Sequence, residues 1–130
     1  MRRTIIITVI CISIEHICRI LFGNPKHYYY NYGMAFSTFQ DMPIISSIVT
    51  ALACVLIAYG AFYPYIGKWE KAGYSIMLGG GLSNLAEKLI LGYVIDWIPI
   101  PFIPMVINIA DIEISIGSLI SFYTSCNRNS

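Results

Sequence analysis

The feature that most constrains this chain is a series of four apolar runs, near residues 4–22, 43–62, 72–91 and 104–123. A hydrocarbon bilayer core is crossed by about 20 mostly apolar residues in a helix. Only 12% of the 130 residues are charged and 57% are hydrophobic, against about 25% charged in an ordinary soluble domain. Such a chain has too few charges to cover a surface facing water. The expected fold is an all-α integral membrane protein of four transmembrane helices, forming one domain over residues 1–130. The net charge of +1 gives no reason to expect a nucleic-acid partner.

The start, Met1-Arg2-Arg3 before an apolar run, resembles a secretory leader. No small-residue cleavage site follows it, however, and three more apolar runs do. Arg2 and Arg3 therefore read as cytoplasmic anchors of a first membrane helix. Lys and Arg favour the cytoplasmic side. With the N-terminus inside, that side holds Arg2, Arg3, Lys68, Lys71 and Arg128, and the outer side holds Lys26 and the end carrying Lys88. Both termini are then cytoplasmic. The outer segment 24–41, rich in Tyr and Phe, favours extended structure. It reads as a small β-like extracytoplasmic platform or as a plain interfacial aromatic loop.

Cys11, Cys18 and Cys54 lie in apolar runs and Cys126 near the end of one. None has CxxC or CxxH spacing, so they read as packing residues, with neither a zinc site nor disulfides expected.

Ionisable groups inside membrane spans are costly and commonly functional. At a rise of about 1.5 Å per residue, Glu15, Asn84 and Asp111 each fall roughly 10 Å below the outer ends of their helices. Three helices thus offer polar groups to one layer. Glu15 and Arg19 stand at i, i+4 and read as a structural pair. Asn84, Glu87 and Lys88 share a helical face and read as packing and orienting groups. Asn108 and Asp111 share another. Asp96 lies in the short connection before the fourth run, within reach of Asp111. His16 reads as structural, and the pattern gives no role to Glu113.

Four segments taken together resemble signal peptidase II, the bacterial lipoprotein signal peptidase family. They are Asn31-Tyr32-Gly33-Met34-Ala35-Phe36-Ser37, then Asn84-Leu85-Ala86-Glu87-Lys88, then Gly92-Tyr93-Val94-Ile95-Asp96-Trp97, then Asn108-Ile109-Ala110-Asp111 followed by Ile114 and Gly117. The family patterns are Asn-x-Gly-x-Ala-Phe-Ser, Asn-x-x-Asp-Arg, Gly-x-Val-x-Asp-Phe and Phe-Asn-x-Ala-Asp. Glu15 and Arg19 stand where the family has Asp and Lys. The departures are Glu15, Arg19, Glu87, Lys88, Trp97 and Ile107. Lys88 in place of Arg gives up a planar, bidentate donor.

The resemblance implies an aspartic endopeptidase that needs neither cofactor nor metal. It would remove the signal peptide of a diacylglyceryl-modified prolipoprotein just before the lipidated cysteine. It implies a monomer in the bacterial cytoplasmic membrane, in contact with lipid, with its active site near the outer face. Asp96 and Asp111 correspond to the catalytic pair. Asn31, Asn84, Lys88 and Asn108 correspond to positions that support the pair or hold substrate, and Glu15, Arg19 and Glu87 to structural polar positions. The alternatives are an inactive relative that binds lipidated peptides and a small proton-relay transporter subunit. The second would spread its polar groups across the full depth, whereas the inner halves of the second to fourth runs are largely uncharged.

Overall fold

In a computed structural model, which describes residues 1–34 and 39–128, the chain is mostly helical. Its helices are α1 (Arg2–Phe22), α2 (Pro43–Phe62), α3 (Lys68–Leu91) and α4 (Ile109–Arg128). Short strands β1 (Tyr29–Asn31), β2 (Val94–Asp96), β3 (Ile98–Pro99) and β4 (Val106–Ile107) fill the connections. Pro43 opens α2, where a missing N–H costs nothing because first-turn donors have no helical partner. Gly92 ends α3 at φ 84°, a left-handed conformation that glycine adopts without steric penalty. That turn sends the chain back across the end of the bundle as β2.

The helices bury their polar residues and expose their apolar ones. In α1 the buried stripe is Thr4, Thr8, Cys11 and Glu15, while Ile5, Ile6, Val9, Ile10, Ile14 and Ile17 face outward. In α2, Ser46 is buried, and Leu52, Val55 and Leu56 are exposed. A water-soluble bundle has the opposite arrangement. Among the described residues two helices, α1 and α2, are long and apolar enough to cross a membrane by length and composition. The ionisable side chains in α3 and α4 lower the apolar character of those two helices.

Helix α3 packs against each of the other three. The run Gly79-Gly80-Gly81 accounts for this, because successive residues on a helix point about 100° apart. A side chain at Gly79 would meet Cys11 of α1, one at Gly80 the backbone carbonyl of Ala110 in α4, and one at Gly81 the thiol of Cys54 in α2. Small residues let backbones approach closely where no hydrophobic force drives helices together. At the opposite end of the bundle, buried Glu70 in the first turn of α3 pairs with Arg128 in the last turn of α4 at 3.0 Å. Each charge also opposes the dipole end of its own helix.

The extended structure differs from a platform confined to the first outer loop. β1 pairs antiparallel with β2, which follows α3, so that sheet joins two separate connections. β3 and β4 form a second sheet, a hairpin. The fourth helix starts at Ile109 rather than near residue 104. Pro99, Pro101 and Pro104 disfavour helix, and the apolar run they interrupt is hairpin. Ala35, Phe36 and Ser37 of the first outer motif lie outside the described residues.

Candidate active site

Asn108 is the residue immediately before α4, and its side chain caps that helix. Its Oδ1 accepts the Asp111 N–H at 2.8 Å, and the Asp111 carboxylate accepts the Asn108 N–H at 3.2 Å. This reciprocal arrangement is a capping box built from Asn and Asp. It fixes the Asp111 carboxyl at the start of the helix and leaves both Asn108 amide hydrogens free. One goes to Asp96 Oδ1 at 2.9 Å and the other to Asn84 Oδ1 at 3.0 Å. Asn84 closes the circuit through Nδ2 to Asp111 Oδ1 at 3.1 Å. Two carboxyl groups from different elements are thus held in one network by two amides.

Asp96 reaches this network from β2. Asn31 lies opposite Val94 in the β1–β2 ladder, so Asp96, two residues further on, is its diagonal neighbour on the same face. Asn31 Nδ2 donates to Asp96 Oδ2 at 3.1 Å. Asn31 is itself oriented, since its Oδ1 accepts Gly33 N at 3.0 Å and Gln40 Nε2 at 2.8 Å. Asp96 is only 2% exposed, whereas Asp111 is partly open. Burial, reinforced by the negative charge of Asp111, pushes the Asp96 carboxyl up to about 7, against the lowering effect of the Asn31 and Asn108 amides. The direction is that of two carboxylates that cannot both ionise cheaply.

The surrounding charges hold the two strands and the helix ends. Glu15 of α1 accepts the Ala110 N–H at 3.2 Å and the Trp97 indole N–H at 3.4 Å. Its carboxylate therefore sits at the positive end of α4. Glu87 pairs closely with Arg19 and accepts the Ile95 N–H, next to Asp96, at 2.8 Å. Arg19 is 4.0 Å from Glu15, so its closer partner is Glu87 across the helix interface rather than the i, i+4 acid. His16 Nδ1 lies 3.3 Å from Arg19.

The buried Lys88 ammonium donates to the Gly33 carbonyl at 2.6 Å, to the Ser46 hydroxyl and to Thr50 Oγ1 at 3.3 Å. Three acceptors for three N–H bonds suit an ammonium better than a planar fork. Asn84, Glu87 and Lys88 do not act on one common face. Asn84 meets α4, Glu87 meets α1 and β2, and Lys88 meets α2. Helical neighbours at i+3 and i+4 diverge enough to address different partners when helices pack on several sides.

Glu113 is buried with Oε2 lacking a hydrogen-bond partner among the described residues. It lies beside Cys11 and stands apart from the amide network. Sequence reasoning missed Gln40, Ser46 and Thr50, and it noted Trp97 as a motif position without its contact to Glu15. The i, i+4 pair Ser46 and Thr50, among the few polar residues of a mainly apolar helix, was the available signal for two of them. Gln40 carries no such signal.

A family profile described as signal peptidase (SPase) II matches residues 5–127. The lipoprotein signal peptidase of Acaryochloris marina is 40% identical over 100 residues, covering 75% of this chain and 61% of that protein. That of Streptococcus pyogenes serotype M5 is 33% identical over 95 residues, covering 72% of this chain and 62% of that protein. The matched stretches thus span less than two thirds of the length of these relatives. The fold is similar to a bacterial membrane enzyme solved by the in meso method at 2.3 Å, with a TM-score of 0.84 and 17% identity, covering 100% of this chain and 91% of that one.

Proposed function

The chain belongs to the signal peptidase II family, and from that premise we propose that it is an intramembrane aspartic endopeptidase acting on diacylglyceryl-modified prolipoproteins. The bond cut is the one just before the lipidated cysteine. The observation that carries this reading is the Asn108 side chain, which caps Asp111 and donates to Asp96 at once. It holds two carboxyls in one site and leaves Asp111 the more open of the two.

Asp111, ionised and partly exposed, takes a proton from water as its oxygen attacks the scissile carbonyl. Asp96, protonated because it is buried beside that charge, donates to the carbonyl oxygen. When the C–N bond breaks, the proton on Asp111 passes to the leaving nitrogen, and the re-forming carbonyl returns its proton to Asp96. The cycle ends with both carboxyls as they began. Asn84 and Asn31 keep the two carboxyls oriented, and Lys88 ties the first outer loop to α2 and α3.

All four helices span the membrane in this reading, with both termini cytoplasmic and the dyad near the outer face. The polar-inside burial and the Lys/Arg distribution support it. The peptide bond then meets water from outside while the substrate's acyl chains stay in the bilayer.

The test is incubation of the purified chain with a diacylglyceryl-modified prolipoprotein and with the same protein unlipidated, in detergent with chelator present. Cleavage of the lipidated form alone, before its modified cysteine, is expected. Binding of that substrate with no cleavage would replace the peptidase reading with a binding one.

A further inference from the structure

The connection between α3 and α4 has an unusual composition. No charged residue lies between Asp96 and Asp111, and the stretch reads Trp97-Ile98-Pro99-Ile100-Pro101-Phe102-Ile103-Pro104-Met105-Val106-Ile107 before Asn108. The first outer connection, by contrast, carries Lys26, His27, Gln40 and Asp41. A loop in water is ordinarily polar because its backbone and side chains are solvated.

Its backbone is also largely self-sufficient. Three of the eleven residues from 97 to 107 are prolines, which have no N–H to satisfy. The Trp97 N–H donates to Ile107 O at 3.0 Å, Ile100 to Met105 O at 2.9 Å, Met105 to Ile103 O at 2.7 Å and Ile103 to Ile100 O at 3.4 Å. Internal satisfaction of this kind is what an apolar medium demands of a backbone.

The tip is a four-residue turn over 100–103 with Pro101 at its second position and Phe102 at its third, where φ is 68°. Glycine is the residue that takes such a position without strain. A phenylalanine there is held against its backbone preference. Among the described residues Phe102 is fully exposed and Ile103 more than half exposed. Leu89, Ile90 and Leu91 at the end of α3, which leads into this connection, are exposed as well.

We propose that the β3–β4 hairpin is a membrane-dipping anchor whose Phe102–Ile103 tip inserts among lipid acyl chains of the outer leaflet. This rests on the reading that α3 and α4 span the bilayer with their connection outside. Because β2 runs directly into the hairpin, the anchor fixes the depth of Asp96 relative to the lipid.

The test uses the full chain in vesicles, with its native cysteines replaced by serine or alanine and a nitroxide label at Phe102→Cys. A label at Lys26→Cys serves as the outer-side reference, its sidedness read by an impermeant thiol reagent before labelling. We expect the tip label to be relaxed strongly by oxygen and weakly by a water-soluble nickel chelate, and the Lys26→Cys label the reverse. Ile103→Cys gives the same reading should Phe102→Cys not fold. A tip label open to the nickel chelate while Lys26→Cys is outside overturns the anchor and leaves the topology standing. Shielding from both relaxants, or spin–spin broadening between copies, overturns it in favour of a protein contact. Both reference and tip on the inner side overturns the topology and the anchor together.

Discussion

Asn108 and Asp111 cap one another across the first turn of α4, at 2.8 and 3.2 Å, and the amide left over from that exchange donates to Asp96. Helix capping and the placement of the two carboxyls are therefore coupled in one side chain. Asn108→Ser keeps an oxygen for the cap but loses both amide donors. It should fold with a thermal midpoint near that of the parent and lose about 10²-fold in kcat/KM. Asn108→Ala should lose a similar amount of activity and, in addition, about 1 kcal/mol of stability with the cap. Thermal unfolding in detergent alongside a cleavage assay separates the two effects.

Much of this was legible beforehand. The apolar runs and the order of Asn31, Asn84, Asp96, Asn108 and Asp111 could be read from residue spacing and the family resemblance. The start of α4 could not be read from hydropathy, because the hairpin before it is as apolar as a helix. The signal lay in Asn108-x-x-Asp111, which is a helix start as well as a motif. Glu87 and Lys88 addressing different helices depends on α3 being the central element, which periodicity within one helix does not reveal. The pairing of β1 with β2 is a long-range contact between two loops and has no local signature.

Glu15 bridges Trp97 and the α4 N-terminus. Gln at this position offers one acceptor oxygen where two are used and turns an NH₂ toward a donor. Glu15→Gln should cost about 1–3 kcal/mol and lower the yield of folded protein more than the specific activity of what folds. Loss of activity at full folded yield would move Glu15 into the catalytic set.

The close approach of α3 to α4 sets the Asn84–Asp111 distance. A methyl group at Gly80 would meet the Ala110 backbone carbonyl, which cannot step aside, whereas one at Gly81 would lie 3.0 Å from the Cys54 thiol, a side chain that can. Gly80→Ala should therefore lose about 1–3 kcal/mol and much of the activity. Gly81→Ala should lose little of either. Paired thermal midpoints and turnover rates check the contrast.

The raised Asp96 carboxyl has a pH signature. An ordinary aspartate titrates at 3.8 and this one at about 7. Between those values the folded chain keeps a proton that the unfolded chain has lost. Stability should therefore fall as pH rises from about 4 through about 7 and then level off. In the proposed mechanism Asp96 acts as a proton donor, and its protonated form disappears over the upper part of the same range. kcat/KM should decline above about pH 7, and Asp96→Asn should flatten the thermal-midpoint profile across that window. A wild-type profile already flat there would contradict the assignment of the proton to Asp96.

The central claim is that Asp96 and Asp111 together perform the hydrolysis. Asparagine keeps the size of either side chain and removes its ionisable carboxyl. Cleavage of a diacylglyceryl-modified prolipoprotein should be measured for Asp96→Asn and Asp111→Asn, each purified and shown to be folded by its thermal transition. Both should bind substrate and lose at least 10²–10⁴-fold in rate, about 3–5 kcal/mol of barrier. Near wild-type cleavage by either folded variant would contradict the dyad.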